Sequence, residues 1–185
     1  KLIKKGFSVF SPREFMQLFD VSSHAAAKFI HTYTEKNFFL KLRNGLYTLE
    51  GKRPPIFFIA NKLYRPSYVS LETALSHYGI IPEVVYSITS VSPKPTQEFD
   101  VLDTSFTYTR IKQSAFQGYT AKKENDQIYH IAEPEKALAD YLYLVSLGKK
   151  PWNDRFYIKG ISKEQVRVYG KLFQRKGIHK LIDRL

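Results

Sequence analysis

The sequence predicts an α+β fold with helices at both ends and strands between them. Three observations predict it. Two short amphipathic segments joined by a polar turn precede an alternating apolar and basic run broken by Asn44-Gly45. A helical segment near residues 70–78 and a series of short strand-like runs follow, ending at Ala132. Helical periodicity returns from Glu133 onward, so helices flank the strands. Residues 10–47 thus read helix, turn, helix, hairpin, the order of a winged helix-turn-helix. That motif commonly places a helix in a DNA major groove beside a basic loop. The remainder reads as an α+β domain with a mostly antiparallel sheet and C-terminal helices.

Each N-terminal element has a local cause. Ser11 is placed to cap the first helix, with Pro12 as its first residue and Glu14 completing a capping box. Phe10 and Phe15 form the matching hydrophobic staple, and Phe15, Leu18 and Phe19 give the buried stripe. Asp20-Val21-Ser22 is the turn, and Ser22 or Ser23 caps the second helix. There Ala26, Phe29, Ile30 and Tyr33 fall on the core face, while His24, Ala27, Lys28 and His31 fall on the other. Small Ala25 and Ala27 suit close approach to a groove. Phe38, Leu40 and Leu42 alternate with Phe39, Lys41 and Arg43. Asn44-Gly45 suits a type I′ turn, and Leu46, Tyr47 and Leu49 return as the second strand.

These placements nominate DNA contacts. They are Ser22, Ser23, His24 and Lys28 at the start of the second helix, with Lys41, Arg43 and Asn44 on the hairpin. A helical hairpin with a wing also serves as a protein-docking module, and three cations also make an ordinary solvated face. Grouping on one surface favours phosphate contact.

Composition bounds the rest. Of 185 residues 43% are hydrophobic and 15% aromatic, a folding composition and not a disordered one. No apolar run is long enough for a membrane span, so no membrane partner is expected. The sequence has no Cys, which removes disulfide and thiolate chemistry. The chain opens on Lys1 and not Met, so residues before it are expected to be missing. No signal segment is visible, and cytoplasm is the expected location.

Net charge is +12, unevenly spread. Residues 1–53 carry 10 Lys+Arg and 4 Asp+Glu, or +6; residues 54–148 carry 8 and 10, or −2; residues 149–185 carry 11 and 3, or +8. Basic ends flanking a near-neutral middle suit a polyanionic partner.

Gly51-Lys52-Arg53-Pro54-Pro55 is the expected linker, dividing a DNA-binding domain at 1–53 from an α+β domain at 54–185. Ile56–Ala60 reads as a buried strand or helix start. Ser70 caps a helix carrying Leu71, Ala74, Leu75 and Tyr78, closed by Gly79. Strands are expected at 87–91, 99–102, 106–110, 116–121 and 128–132, with Asn125-Asp126 as a turn. Glu133-Pro134-Glu135 opens a helix that buries Ala137, Leu138, Tyr141, Leu142 and Leu144. In the basic tail, 149–185, Ser162 and Gln165 form a second capping-box pattern. Val166, Tyr169, Leu172 and Phe173 make an apolar face; Arg167, Lys171, Arg175 and Lys176 make the opposite one, a possible second DNA contact. Gly177 divides this helix from Ile178–Leu185.

No phosphate-binding glycine loop, metal-ligand spacing or nucleophile elbow is present, so no catalytic residue, metal or cofactor is expected. Glu98 and Asp100 with Lys112 make only a loose nuclease-like pattern. Glu133 and Glu135 read as helix-capping residues. An RNA-binding module, with Tyr and Phe as stacking platforms, and a nuclease-like second domain are the alternatives.

The chain also resembles the AbiEi family of antitoxins. The resemblance rests on Arg43-Asn44-Gly45-Leu46-Tyr47, on Tyr68 to Leu75, on Tyr78-Gly79-Ile80-Ile81-Pro82, on Ile88 to Val91 and on Ile131 to Asp140, in that order. It covers roughly residues 8–145. It implies a transcriptional autorepressor that binds its operator through the winged helix. It further implies an antitoxin role for the second domain, opposing a nucleotidyltransferase-like toxin in a type IV system. The toxin is then a functional partner, with direct contact not expected.

Overall fold

A computed structural model describes residues 8–52 and 54–185. The chain is mixed α+β. It opens with β1 (Val9–Phe10), α1 (Pro12–Phe19), α2 (Ser23–Glu35), β2 (Phe39–Arg43) and β3 (Leu46–Leu49). The expected capping box of α1 is formed: Ser11 accepts from the Glu14 amide at 3.2 Å, and Glu14 accepts from the Ser11 amide at 2.7 Å. Asp20 ends α1 in the left-handed region, φ 54°. Ser22, not Ser23, caps α2, accepting from the Ala25 amide at 3.3 Å.

β1, β3 and β2 form an antiparallel sheet in that order. Both of its faces are used. Phe10, Phe39, Tyr47 and Leu49 pack with α1 and α2 in a small aromatic core. Val9, Leu42 and Leu46 turn the other way, into the main core. Successive strand residues point to opposite faces, so Val9 and Phe10 serve different cores.

Four details of this segment differ from expectation. Phe38 is exposed, and Phe39 takes the buried position in the small core. A register shift between Lys41 and Arg43 interrupts the simple alternation. Only Gly45 has a positive φ, 72°, so Asn44-Gly45 is not a type I′ turn. Phe29 is 41% exposed, because Ala26 and Ile30 fill the narrow buried stripe of α2. Its ring instead caps the rim of the small core, stacked on Tyr33 at 4.1 Å.

In the expected linker, Arg53 lies outside the described residues. Pro54 and Pro55 are buried and do not form an exposed tether. Pro55 precedes α3 (Ile56–Leu63), and its carbonyl accepts from the Ile59 amide at 3.1 Å. A proline loses no helical hydrogen bond there.

The remaining elements are β4 (Tyr68–Val69), α4 (Leu71–His77), β5 (Ile88–Ser92), β6 (Gln97–Val101), β7 (Thr104–Arg110), β8 (Tyr119–Glu124), β9 (Gln127–Ala132), α5 (Pro134–Ser146), α6 (Lys163–Lys171) and α7 (Lys176–Arg184). A six-stranded sheet runs β6-β7-β5-β4-β9-β8. It is mixed: β5/β7 and β4/β9 are parallel, and the other neighbours antiparallel. Asn125 and Asp126 both have positive φ, 46° and 62°, in the β8–β9 turn.

α5 is the central element. Every residue from Lys136 to Leu144 is buried, far beyond the five apolar positions expected. α4, α6 and α7 all pack against it. Neither Glu133 nor Glu135 makes a side-chain cap at its start. Instead Glu133 accepts from the Tyr169 hydroxyl, and Glu135 accepts from the Ser162 amide, so both tie α5 to the tail. Trp152, the single tryptophan, is half-buried between Phe156, ring centroids 5.5 Å apart, and the Arg184 guanidinium at 4.3 Å.

Gly118 marks a close approach. Its φ is 75°, and a Cβ there would lie 2.6 Å from Tyr169 Cε1. Gly118→Ala combines a left-handed alanine with that clash, for an expected cost of about 1–3 kcal/mol. Urea unfolding measures it, and a loss under a few tenths would mean that the backbone at 118 relaxes out of the left-handed region as well as the Tyr169 ring giving way.

Candidate nucleic-acid interface

Ser22, Ser23, His24 and Lys28 are all exposed, as are Lys41, Arg43 and Asn44. The first four follow one another from the start of α2. His24 and Lys28 are four residues apart and share a face, with His31 one turn further. α2 has no acidic residue in its first turn. The positive end of its dipole is therefore not offset by a side chain within the helix. Glu35, its last residue, is its only carboxylate.

The hairpin is anchored beside α2 because Phe39 shares the small core with Ala26 and Ile30. Lys41 lies mid-strand on β2, and Arg43 and Asn44 lie at the turn, where Arg43 Nη1 donates to the Asn44 carbonyl at 3.1 Å. The buried alternation of β2 and β3 thus holds up a polar tip.

The tail residues are arranged differently from expectation. Arg167, Lys171, Arg175 and Lys176 do not share one helix face. The chain breaks at Gln174, φ 49°, and not at Gly177, which lies inside α7. Arg175 is the extended residue before α7. Its Nε and Nη2 donate to the Ser146 carbonyl at 3.1 and 2.6 Å, satisfying an acceptor at the end of α5. Arg167 pairs with Asp183. Lys171 and Lys176 are exposed. Ser162 caps α6, accepting from the Gln165 amide at 3.2 Å.

Sequence reasoning missed a buried polar cluster. Lys136 and Asp140, one turn apart on α5, pair with no exposed surface on either side chain. Asp140 Oδ2 also accepts from Ser70 Oγ at 2.7 Å and from the Tyr68 hydroxyl at 3.1 Å. Lys136 Nζ lies over the rings of Phe173 and Tyr68, 4.8 and 5.7 Å from their centroids. Burial pushes the Asp140 carboxyl up and the Lys136 ammonium down, and each opposes the other's shift. Ser70 therefore serves Asp140 and makes no side-chain cap on α4. Thr89 bridges nearby, its hydroxyl donating to the Ser70 carbonyl at 2.7 Å and accepting from the Thr73 amide at 3.0 Å. The signal that reveals this cluster is an opposite-charge i, i+4 pair inside an otherwise apolar helix.

A groove of about 870 Å³ lies between the segments at 81–87 and 150–155. Its two glutamates are each paired: Glu72 with Lys150, and Glu83 with Arg155 and, at 3.1 Å, Asn153. Tyr141 beside them is pushed up to about 12 by burial first and by those two carboxylates second. Glu98 and Asp100 lie on the outermost strand β6, where Glu98 accepts from Ser105 Oγ at 3.0 Å. Among the described residues no three His, Asp or Glu side chains are grouped to hold a metal. No described helix is long and apolar enough to cross a membrane. No protein-family model matches this sequence, and no curated protein matches it significantly.

Proposed function

We propose that this chain is a duplex-DNA-binding repressor whose first five elements act as a winged helix-turn-helix. One observation carries the reading: α2 begins exposed, with no acid in its first turn and lined by Ser22, Ser23, His24 and Lys28, beside a hairpin bearing Lys41, Arg43 and Asn44. The α2 end offers amides and a cation to a phosphate or base edge, and the tip reaches the backbone or minor groove. Occlusion of a promoter then requires no chemistry.

The resemblance to AbiEi antitoxins extends the proposal. The Tyr68–Leu75 and Ile131–Asp140 motifs would build the core of an antitoxin domain opposing a nucleotidyltransferase-like toxin without touching it. The chemistry on those motifs supports a scaffold role, since Tyr68, Ser70, Lys136 and Asp140 hold one another.

The test is anisotropy with duplexes from the chain's own promoter. With about 6 phosphates neutralised, log K should fall against log salt with a slope near −5. Arg43→Ala should weaken binding by about 1 kcal/mol, roughly fivefold, without unfolding the chain. A flat salt response would remove the DNA reading, and unchanged affinity in the variant would remove the hairpin from the contact.

A further inference from the structure

Cations collect without counter-charge where the hairpin meets the second unit. A pocket of about 550 Å³ opens there. Arg43 lines it from β2, Tyr64 and Arg65 from the segment after α3, Lys94 from the β5–β6 turn, and Gln97 and Phe99 from β6. Arg43, Arg65 and Lys94 are exposed, and none makes an ion pair among the described residues.

Aromatic and backbone groups hold two of these charges: Arg43 Nη1 donates to the Asn44 carbonyl at 3.1 Å, and Lys94 lies against Tyr64. Lys94 Nζ sits 5.6 Å from the Tyr64 ring centroid, and the Tyr64 hydroxyl donates to the Pro95 carbonyl at 2.9 Å. Arg43 is near enough to Tyr108 for its charge to oppose the burial that raises that phenol. Arg65 acts on Lys62, whose ammonium is lowered by burial first and by Arg65 second. Glu14 pairs with Lys62, at 3.9 Å, and with none of Arg43, Arg65 and Lys94. Gln97 and Phe99 face the pocket, so Glu98 between them points to the opposite face of the strand.

This clustering is local. Residues 54–148 carry more acid than base, 10 against 8, yet Arg65 and Lys94 line one pocket with Arg43. Like charges held together repel in the free protein, and a polyanion relieves that repulsion. Cations supplied by separate elements along one groove suit a row of phosphates better than one compact anion.

We infer that a phosphate backbone passing the hairpin tip at Arg43 continues over Arg65 and Lys94, so the second unit anchors bound duplex irrespective of sequence. This rests on the DNA-binding reading above.

The experiment uses the full chain with Arg65→Gln and Lys94→Gln together, and separately Lys28→Ala, in anisotropy titrations across salt. Promoter and unrelated duplexes are compared. The double variant should lose affinity alike for both duplexes, and its salt slope should be shallower by about 1.8, for two phosphate contacts. Its thermal melting should match the parent. An unchanged slope and affinity in the double variant, while Lys28→Ala still weakens binding, would overturn this inference and leave the α2 reading standing. A parent chain that binds no duplex at any salt would overturn both. Preference for single-stranded RNA, lost in the double variant, would assign the pocket to another polyanion. So would a nucleoside triphosphate that raises the melting temperature of the parent alone while duplex binding is unaffected.

Discussion

Lys136→Met is expected to destabilise the protein by about 3–5 kcal/mol, because it leaves the Asp140 carboxylate buried without its cation. Both side chains have no exposed surface, so water does not replace the lost partner. Ser70 and Tyr68 still donate to Asp140, but neither carries charge. Adding Asp140→Asn removes the stranded charge while keeping an acceptor for those two hydroxyls. The double variant should therefore recover at least half of the loss. Urea unfolding of the three proteins measures this. A single-variant loss below about 1 kcal/mol would show that the pair is not charged in the native state or that water enters beside it.

Phe10→Ala should cost about 3–5 kcal/mol, the range for an aromatic side chain removed from a packed core. Phe10 is fully buried, with ring centroids 5.1 Å from Phe39, 5.9 Å from Phe15 and 6.0 Å from Tyr47. Among the described residues the small core has five buried members, so a cavity there removes a large share of its packing. Since α2 and the hairpin meet through that core, duplex affinity should fall with it. Amide exchange at Ile30 and Phe39 gives the direct readout. Unchanged protection there would mean that the main core, through Val9, Leu42 and Leu46, holds the sheet without help.

Much of the N-terminal architecture was legible because its causes are local. The Ser11–Glu14 box, the Pro12 start and the Ser22 cap each need only three or four adjacent residues. Exposure of Ser22, His24, Lys28, Lys41 and Arg43 followed from the same patterns. What was not legible depended on distant partners. Phe29 fits the helical period, but its exposure depends on how far α1 and β2 reach around α2. Leu42 and Phe39 looked like members of opposing faces, one wet and one dry; two cores, one on each side of the sheet, make both dry. The burial of Lys136 and Asp140 depends on α4, α6 and α7, which enclose α5. Arg167 and Arg175 looked free because Asp183 and the Ser146 carbonyl come from other turns of the chain. The parallel pairing of β5 with β7 could not follow from alternation, which says nothing of strand direction.

The position of Trp152 gives the chain a built-in optical reporter. Its indole lies against a guanidinium from α7 and the edge of Phe156, in the segment that joins α5 to α6. No other residue contributes indole emission. Detachment of α7 would wet the ring and redden its light, while the N-terminal elements, which carry only phenylalanine and tyrosine, would stay silent at that wavelength. Fluorescence therefore views the tail while far-ultraviolet ellipticity views the whole backbone, and the order in which the two signals change reads out whether the tail loosens before the rest.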